Sequence, residues 1–419
     1  VSSQAGRLKK LIQANEVLAS IESLMDLLPQ LLRLAQDVTG AEASSILLYD
    51  KEKDVLTFSL AMNDVVGEDK MRHLKYGFEL PMGQGIAGWV AENRKPLNVT
   101  DAQNDERFSK AADERTGFKT RCILCIPIIH KDQLLGVVQV LNSIAKECFE
   151  DEDRELLESF GHLAGVALVR SELMLQRLDQ QKLETQLEAA SRIQKQFSPK
   201  QPEFDDGNIV WGSSVPAQFV GGDLYDFISN SDGSWYIYVA DVSGKGLPAA
   251  LIMSALWTRI RAEALREKSP GEMLKAVNAG AWEFMNGELF ATMVLLRYDP
   301  SSGECEYAVA GHPAPLIVDN GVVTELERPF GLPVGIMDEG EFGTTKFTIE
   351  KGQSLIIVTD GVDEARAGNG EFFGEKRLVE TLKNAGHPPL GEKLLTAVAR
   401  WRGETPSNDD TTVVEIYRP

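Results

Sequence analysis

The chain has 419 residues, with 43 Lys+Arg against 63 Asp+Glu, a formal net charge of −20 and a pI near 4.8. A hydrophobic content of 43% excludes disorder along the whole chain, and at roughly 100–200 residues per domain the length predicts two or three domains. The acid excess excludes a broad cationic grip on nucleic acid and disfavours adhesion to anionic membranes; it leaves phosphate chemistry open, because bound divalent cations reverse the local sign.

Residues 7–38 read as a helix, with Leu8, Leu11, Ile12, Leu18, Ile21, Leu24, Leu28, Leu31 and Leu32 at spacings of three and four. Pro29 is expected to break or kink it. Ser44 to Ala61 alternates like a hairpin around a polar turn at Lys51–Asp54. Gly83-Gln84-Gly85-Ile86-Ala87-Gly88 precedes a helical stretch, and strands follow at Cys122–Ile129 and Leu134–Leu141. Phe149 to Leu168 reads as helix again. The first domain is therefore mixed α and β.

Cys122 and Cys125 have no second pair at zinc spacing, and alternation puts them on opposite faces of a core strand. With Cys148 and Cys305 they suggest reduced thiols. No apolar run reaches the roughly 18 residues of a membrane span. The start, VSSQAGRLKK, lacks Met, as a trimmed chain would, and does not read as a signal peptide. A cytoplasmic protein is expected.

Residues 166–198 read as one long polar helix with a seam at Leu175, Leu178, Leu183, Leu187, Ala190, Ile193 and Phe197. A dimeric coiled-coil linker and a solvated linker both fit. Pro199 and Pro202 end it. From Asn208 short strands are predicted at 209–213, 235–241, 292–298, 305–310, 314–318, 354–359 and 412–417, with helices near 247–266, 270–286, 375–384 and 390–401. Such interleaving fits a layered, sheet-rich sandwich.

Four aspartates stand at the ends of these strands or in turns: Asp223, Asp241, Asp360 and Asp409. Strand ends can aim carboxylates at one point, and hard divalent cations want oxygen ligands. Any one of the four, taken alone, is also a plausible turn residue.

Six ordered motifs carry a resemblance. They are Gly221-Gly222-Asp223-Leu224-Tyr225-Asp226; Asp241-Val242-Ser243-Gly244-Lys245-Gly246 with Pro248-Ala249-Ala250; Phe290-Ala291-Thr292; Ala310-Gly311-His312-Pro313-Ala314-Pro315-Leu316; Thr359-Asp360-Gly361-Val362-Asp363-Glu364-Ala365; and Asp409-Asp410-Thr411-Thr412. Residues 200–419 thereby resemble the metal-dependent serine/threonine phosphatases of PPM/PP2C type, in their bacterial stress-response and sporulation branch (RsbU/SpoIIE-like). The resemblance implies an αββα sandwich and two Mn²⁺ or Mg²⁺ ions. Asp241 would bridge the ions, the Val242 carbonyl would join one, Asp360 and Asp409 would hold the other, and Asp223 would bind directly or through water. Asp241 and Asp360 are the expected catalytic residues. Two such cations supply an activated water for in-line attack on a phosphoryl group. Ser243 stands where eukaryotic members carry His, Gln218 occupies the nearest upstream position for a phosphate-binding Arg, and His312 is either structural or a proton donor.

Cys148 and Arg154 match the Cys-x5-Arg spacing of cysteine phosphatases, but the acids Glu150, Asp151, Glu152 and Asp153 between them would repel phosphate. The chain also lacks the Gly-rich phosphate loop of two-metal nucleotide enzymes such as cyclases.

The first half resembles a GAF domain, with an antiparallel sheet and helices. The carrying residues are Pro81 to Ala91, Pro96-Leu97-Asn98-Val99, Asp101, Phe108, Ile126-Pro127-Ile128 and Leu135 to Asn142. Asn142, Phe149 and Asp153 match the cyclic-nucleotide pattern, whereas Ser143 and Arg154 replace its Lys and Glu. The ligand is therefore an unknown small molecule, or none if the domain only dimerises.

The expected fold class is α+β. Its domains are an N-terminal helix and GAF sensor over 1–165, a helical linker over 166–199 and a phosphatase over 200–419. The expected function is a GAF-controlled phosphoserine/phosphothreonine phosphatase acting on a STAS-type anti-sigma-factor antagonist. The expected assembly is a homodimer through the N-terminal and linker helices. The alternative is a non-catalytic signalling scaffold. Residues 201–419 carry 18 basic and 33 acidic side chains, a net of −15, so most of the surplus charge lies in the expected phosphatase domain, chiefly as solvated surface, where two divalent cations would offset part of it.

Overall fold

The structure, a computed structural model, describes residues 23–63, 79–110, 113–114, 117–266 and 268–419. The helix expected over 7–22 lies outside the described residues. The chain divides into two compact units, one ending at Lys182 and the other beginning at Leu183.

In the first unit a helix spans Leu24–Thr39, opened by the Ser23 hydroxyl, which accepts from the Met25 N–H at 3.2 Å, and closed by Gly40 at φ 66°. Pro29 sits inside it and does not end it. The carbonyl that loses its donor is that of Met25, in the first turn, where the helix is exposed. The antiparallel sheet has the order β3-β2-β1-β6-β5-β4, built from β1 (Ala41–Asp50), β2 (Val55–Asn63), β3 (Glu79–Pro81), β4 (Leu97–Val99), β5 (Ile123–His130) and β6 (Gln133–Ser143). One face packs Cys122, Leu124 and Ile126 against Leu27, Leu31, Phe160 and Ala164. The other packs Ile123 and Cys125 against Ile86 and Val90 of the helix Gly85–Asn93. The two cysteines thus face opposite ways, as the alternation requires.

The helix that closes the first face runs without a break from Asp151 to Gln194, 44 residues. The segment 166–198 expected as a helical linker continues the helix before it without interruption as far as Gln194. Gly161 and Gly165 let its first half lie close on β5: a Cβ at Gly165 would meet the Ile129 carbonyl at 2.9 Å. After Ser171 it buries little, and Leu173, Leu175, Leu178, Leu183 and Ile193 are exposed.

The second unit holds two five-stranded antiparallel sheets. The first has the order β14-β11-β10-β9-β8, and the second β13-β12-β15-β16-β7. The strands are β7 (Ile209–Val215), β8 (Leu224–Ser229), β9 (Trp235–Val242), β10 (Ala291–Tyr298), β11 (Glu304–Ala310), β12 (Leu316–Asp319), β13 (Val322–Glu325), β14 (Thr344–Thr348), β15 (Ser354–Val358) and β16 (Thr411–Tyr417). Between the sheets lie Phe227, Ile237, Val239, Leu296, Leu355, Ile357, Val414 and Ile416. The outer face of the first sheet packs Tyr236, Tyr238 and Leu295 against the helices Leu247–Ala264 and Pro270–Met285. The outer face of the second packs Ile356 and Val413 against Gly374–Asn384 and Leu390–Arg402. This is the expected αββα sandwich.

Phe160 is fully buried on the sheet of the first unit. Phe160→Ala should cost about 3–5 kcal/mol there. Hydrogen exchange should accelerate in Ile123–His130 and Gln133–Ser143 and stay unchanged in Ala291–Tyr298; equal protection in the first two strands would contradict this core.

Candidate active site

Strand parity aims the site. In β8 Tyr225 and Phe227 face the cleft between the sheets, so Asp223, two residues earlier, points the same way. In β9 the cleft-facing residues Ile237 and Val239 carry the parity of Asp241. Thr359 follows Ile357 in this sense, and Thr412 precedes Val414. The four side chains meet at one end of the sandwich. Thr359 donates to Asp223 Oδ2 at 2.8 Å and Thr412 donates to the same oxygen at 2.5 Å.

Asp360 lies one residue beyond Thr359, in the turn after β15, and Asp409 ends the loop before β16. The neighbouring Asp410 is buried and used by the backbone. Its Oδ1 accepts from the Ala217 N–H at 2.7 Å and its Oδ2 from the Gly222 N–H at 2.6 Å. Glycine is required where this segment crosses its neighbours: a Cβ on Gly221 would fall 2.2 Å from Asp410 Oδ2, and one on Gly361 would fall 1.8 Å from the Asp410 carbonyl. Asp409 is left free to face outward, ion-paired with Lys245 at 2.9 Å. The Val242 carbonyl lies against Gly222, where a Cβ would approach it to 2.9 Å.

The electrostatics of the cluster are those of acids short of cations. Burial, and then the neighbouring charge of Asp241, push the Asp223 carboxyl well above the usual range, against the hydrogen bonds from Thr412 and Thr359. Burial, followed by Asp360, Asp409 and Asp410, pushes Asp241 up to about 7, while a side-chain hydrogen bond with Asp223 opposes the rise. Burial and Asp409 push Asp360 up to about 6. Among the described residues, Lys245 is the one cation ion-paired with a carboxylate of this group. The donor set, all oxygen and excess negative charge, fits hard divalent cations. Among the described residues, however, no three Asp, Glu, His or Cys side chains stand at ligating distance from a common point.

Two expectations are narrowed. His312 is fully buried: its Nδ1 pairs with Thr292 Oγ1 at 2.7 Å and its Nε2 with the Val358 carbonyl at 3.0 Å. Burial lowers its pKa to about 4. Both nitrogens are committed, so it is a neutral brace between β10 and the end of β15. Ser243 Oγ accepts from the Phe290 N–H at 2.9 Å and is likewise committed to the backbone. Sequence reasoning missed Asp410 as the anchor, although its place beside Asp409 was visible. It also missed Gln194, whose side chain pairs twice with the Gly221 backbone, at 2.6 Å to the carbonyl and 3.1 Å from the N–H.

Residues 231–419 match the family model of stage II sporulation protein E (SpoIIE), and residues 22–169 match that of a GAF domain. The chain is 28% identical over 242 residues to phosphoserine phosphatase RsbU of Bacillus subtilis, covering 56% of this chain and 71% of that protein. It is 38% identical over 97 residues to the dual 3′,5′-cyclic-AMP and -GMP phosphodiesterase 11A of Takifugu rubripes, covering 23% of this chain and 11% of that protein. Among solved structures, the SiaA-PP2C domain of Pseudomonas aeruginosa aligns at 24% identity with a TM-score of 0.49, over 57% of this chain and 99% of that one. Beyond RsbU, the chain spans only small parts of the first curated relatives it matches, 11% and 6% of two phosphodiesterases.

The raised Asp241 has a consequence for the metal-free protein. The folded state binds this proton more tightly than the unfolded chain, whose Asp titrates near 3.8. Stability should therefore fall as pH rises from about 4 to about 7, and stay low above that. Asp241→Asn should weaken this dependence, leaving the part that Asp223 and Asp360 contribute, and should stabilise the chain in EDTA at pH 8. Urea unfolding in EDTA across that range checks it; an Asn variant no more stable than the parent at pH 8 contradicts it.

Proposed function

We propose that this chain, which joins a GAF domain to a metal-dependent protein phosphatase domain of the SpoIIE group, hydrolyses phosphoserine or phosphothreonine on a partner protein under control of its first half. The observation that carries the reading is the convergence of Asp223, Asp241, Asp360 and Asp409 at one end of the sandwich, with too little positive charge to balance them.

Asp223, Asp241, Asp360, Asp409 and the Val242 carbonyl would hold two Mn²⁺ or Mg²⁺ ions. Bound there, the ions supply a water deprotonated near neutral pH and neutralise the phosphoryl oxygens. The chain's own residues do the rest. Thr359 and Thr412 fix the orientation of Asp223. Asp410 pins the Gly221-Gly222 turn so that Asp223 and the Val242 carbonyl keep their places. Asp241 and Asp360, held at pKa values of about 7 and about 6, exchange protons for cations over the physiological range. No residue needs to carry the phosphoryl group.

RsbU is by name a phosphoserine phosphatase. A phosphorylated STAS-type protein in the cytoplasm is the substrate this reading favours. No described helix is long and apolar enough to cross a membrane. Regulation would run along the helix Asp151–Gln194, whose last residue grips Gly221 two positions before Asp223. The exposed Leu173, Leu175, Leu178 and Leu183 suit pairing with a second copy of the same helix.

Asp241→Asn should lower hydrolysis of a phosphoserine protein in Mn²⁺ by at least about a hundredfold with the fold intact by circular dichroism. Undiminished turnover would sink the site assignment. Gln194→Ala should shift the turnover of the full chain severalfold without changing its melting temperature. Equal turnover would remove this residue from the regulatory route.

A further inference from the structure

Lys245 sits at the edge of the acid cluster, on the short loop between β9 and the helix Leu247–Ala264. Gly244 at φ 96° and Gly246 at φ 70° flank it, so the path of the loop is set by backbone that other residues rarely adopt. Its ammonium donates to the Asn408 carbonyl and lies 2.9 Å from Asp409 Oδ2. The neighbouring Gln218 side chain, which a Cβ on Gly246 would approach to 3.1 Å, is polar but neutral.

The pair is half in solvent, with 51% of the Lys245 side chain and 33% of the Asp409 side chain exposed. Such pairs are weak and exchange readily. A group whose partner is also wanted by a divalent cation is then a group in waiting. Once Asp409 is taken, the ammonium loses its counter-charge and is repelled by the newcomer. Its flexible four-carbon stem and three donors suit a compact anion.

We propose that Lys245 is the phosphate-binding residue of this site, held by Asp409 until a cation claims that carboxylate. This rests on the phosphatase reading above. The residue would contact the non-bridging phosphoryl oxygens of the substrate and retain inorganic phosphate as product. It forms and breaks no covalent bond. The acids of the cluster give phosphate no purchase of their own, and in the described residues no other cation is paired with them.

The test uses the full chain, Mn²⁺ and inorganic phosphate. Mn²⁺ binding is read directly by electron paramagnetic resonance without substrate. Phosphate binding to the loaded protein is read by broadening of its ³¹P resonance. Lys245→Met should weaken phosphate binding about tenfold, Lys245→Arg should keep most of it, and both should bind Mn²⁺ at least as tightly as the parent. Equal phosphate affinity in the parent and Lys245→Met overturns the proposal while leaving the phosphatase reading intact. Loss of Mn²⁺ binding in Lys245→Met overturns it in favour of a role in shaping the metal site. A parent chain that binds no Mn²⁺ overturns the phosphatase reading, and this proposal with it.

Discussion

Asp223 and Asp241 lie where two antiparallel sheets meet, and among the described residues neither has an ion-paired cation beside it. A buried carboxylate without a counter-charge is among the most unfavourable groups a fold can hold. The surroundings reduce this cost without removing it. Two threonine hydroxyls, from Thr359 and Thr412, reach Asp223. The loop crossing is so tight that Gly221 and Gly361 tolerate no side chain. What remains unbalanced is a demand for positive charge, and the proposed metal site rests on that demand.

Two other acids show that the imbalance is local. Asp226, on β8, stands three residues after Asp223 and with opposite parity, so it faces the helix Leu247–Ala264. There Arg261 donates to both of its oxygens, at 2.7 and 3.0 Å, and its guanidinium stacks over Trp257. Glu415 on β16 likewise faces away from the cleft and accepts from the Ser354 hydroxyl and the Gly391 N–H. Acids on the outer faces are satisfied by the chain itself. Acids on the inner face at this end are not. On the strands, parity separates the acids that the chain itself satisfies from Asp223 and Asp241.

Parity is readable in a sequence, and the strong strands were legible for that reason. The runs at 235–241, 292–298 and 412–417 are apolar on both faces because both are covered. The strands that went unread, β3 and β4 in the first unit and β8, β13 and β14 in the second, are short, edge or polar: β13 is largely exposed, and β14 alternates between half-buried and exposed residues. In β8 the acid Asp226 breaks the apolar pattern, and only the distant Arg261 makes it tolerable. Pro29 misled for a similar reason. The rule that proline ends a helix assumes a donor is lost in the interior, and here the loss falls in the exposed first turn. The four aspartates were legible from their motifs. Division of labour between Asp409 and Asp410 was not, because it depends on amides nearly 200 positions away.

The helix Asp151–Gln194 is the element along which the proposed regulation would run. Its early turns carry Gly161 and Gly165 and bury Leu157, Phe160 and Ala164. From Val166 to Gln194 it contains neither glycine nor proline, so no residue there offers an easy hinge. Its last side chain binds Gly221 through both N–H and carbonyl, which fixes direction as well as distance. Gly221 in turn abuts the Asp410 carboxylate, which holds the turn before Asp223. The proposed route of regulation thus ends on a contact in which a single methyl group would not fit.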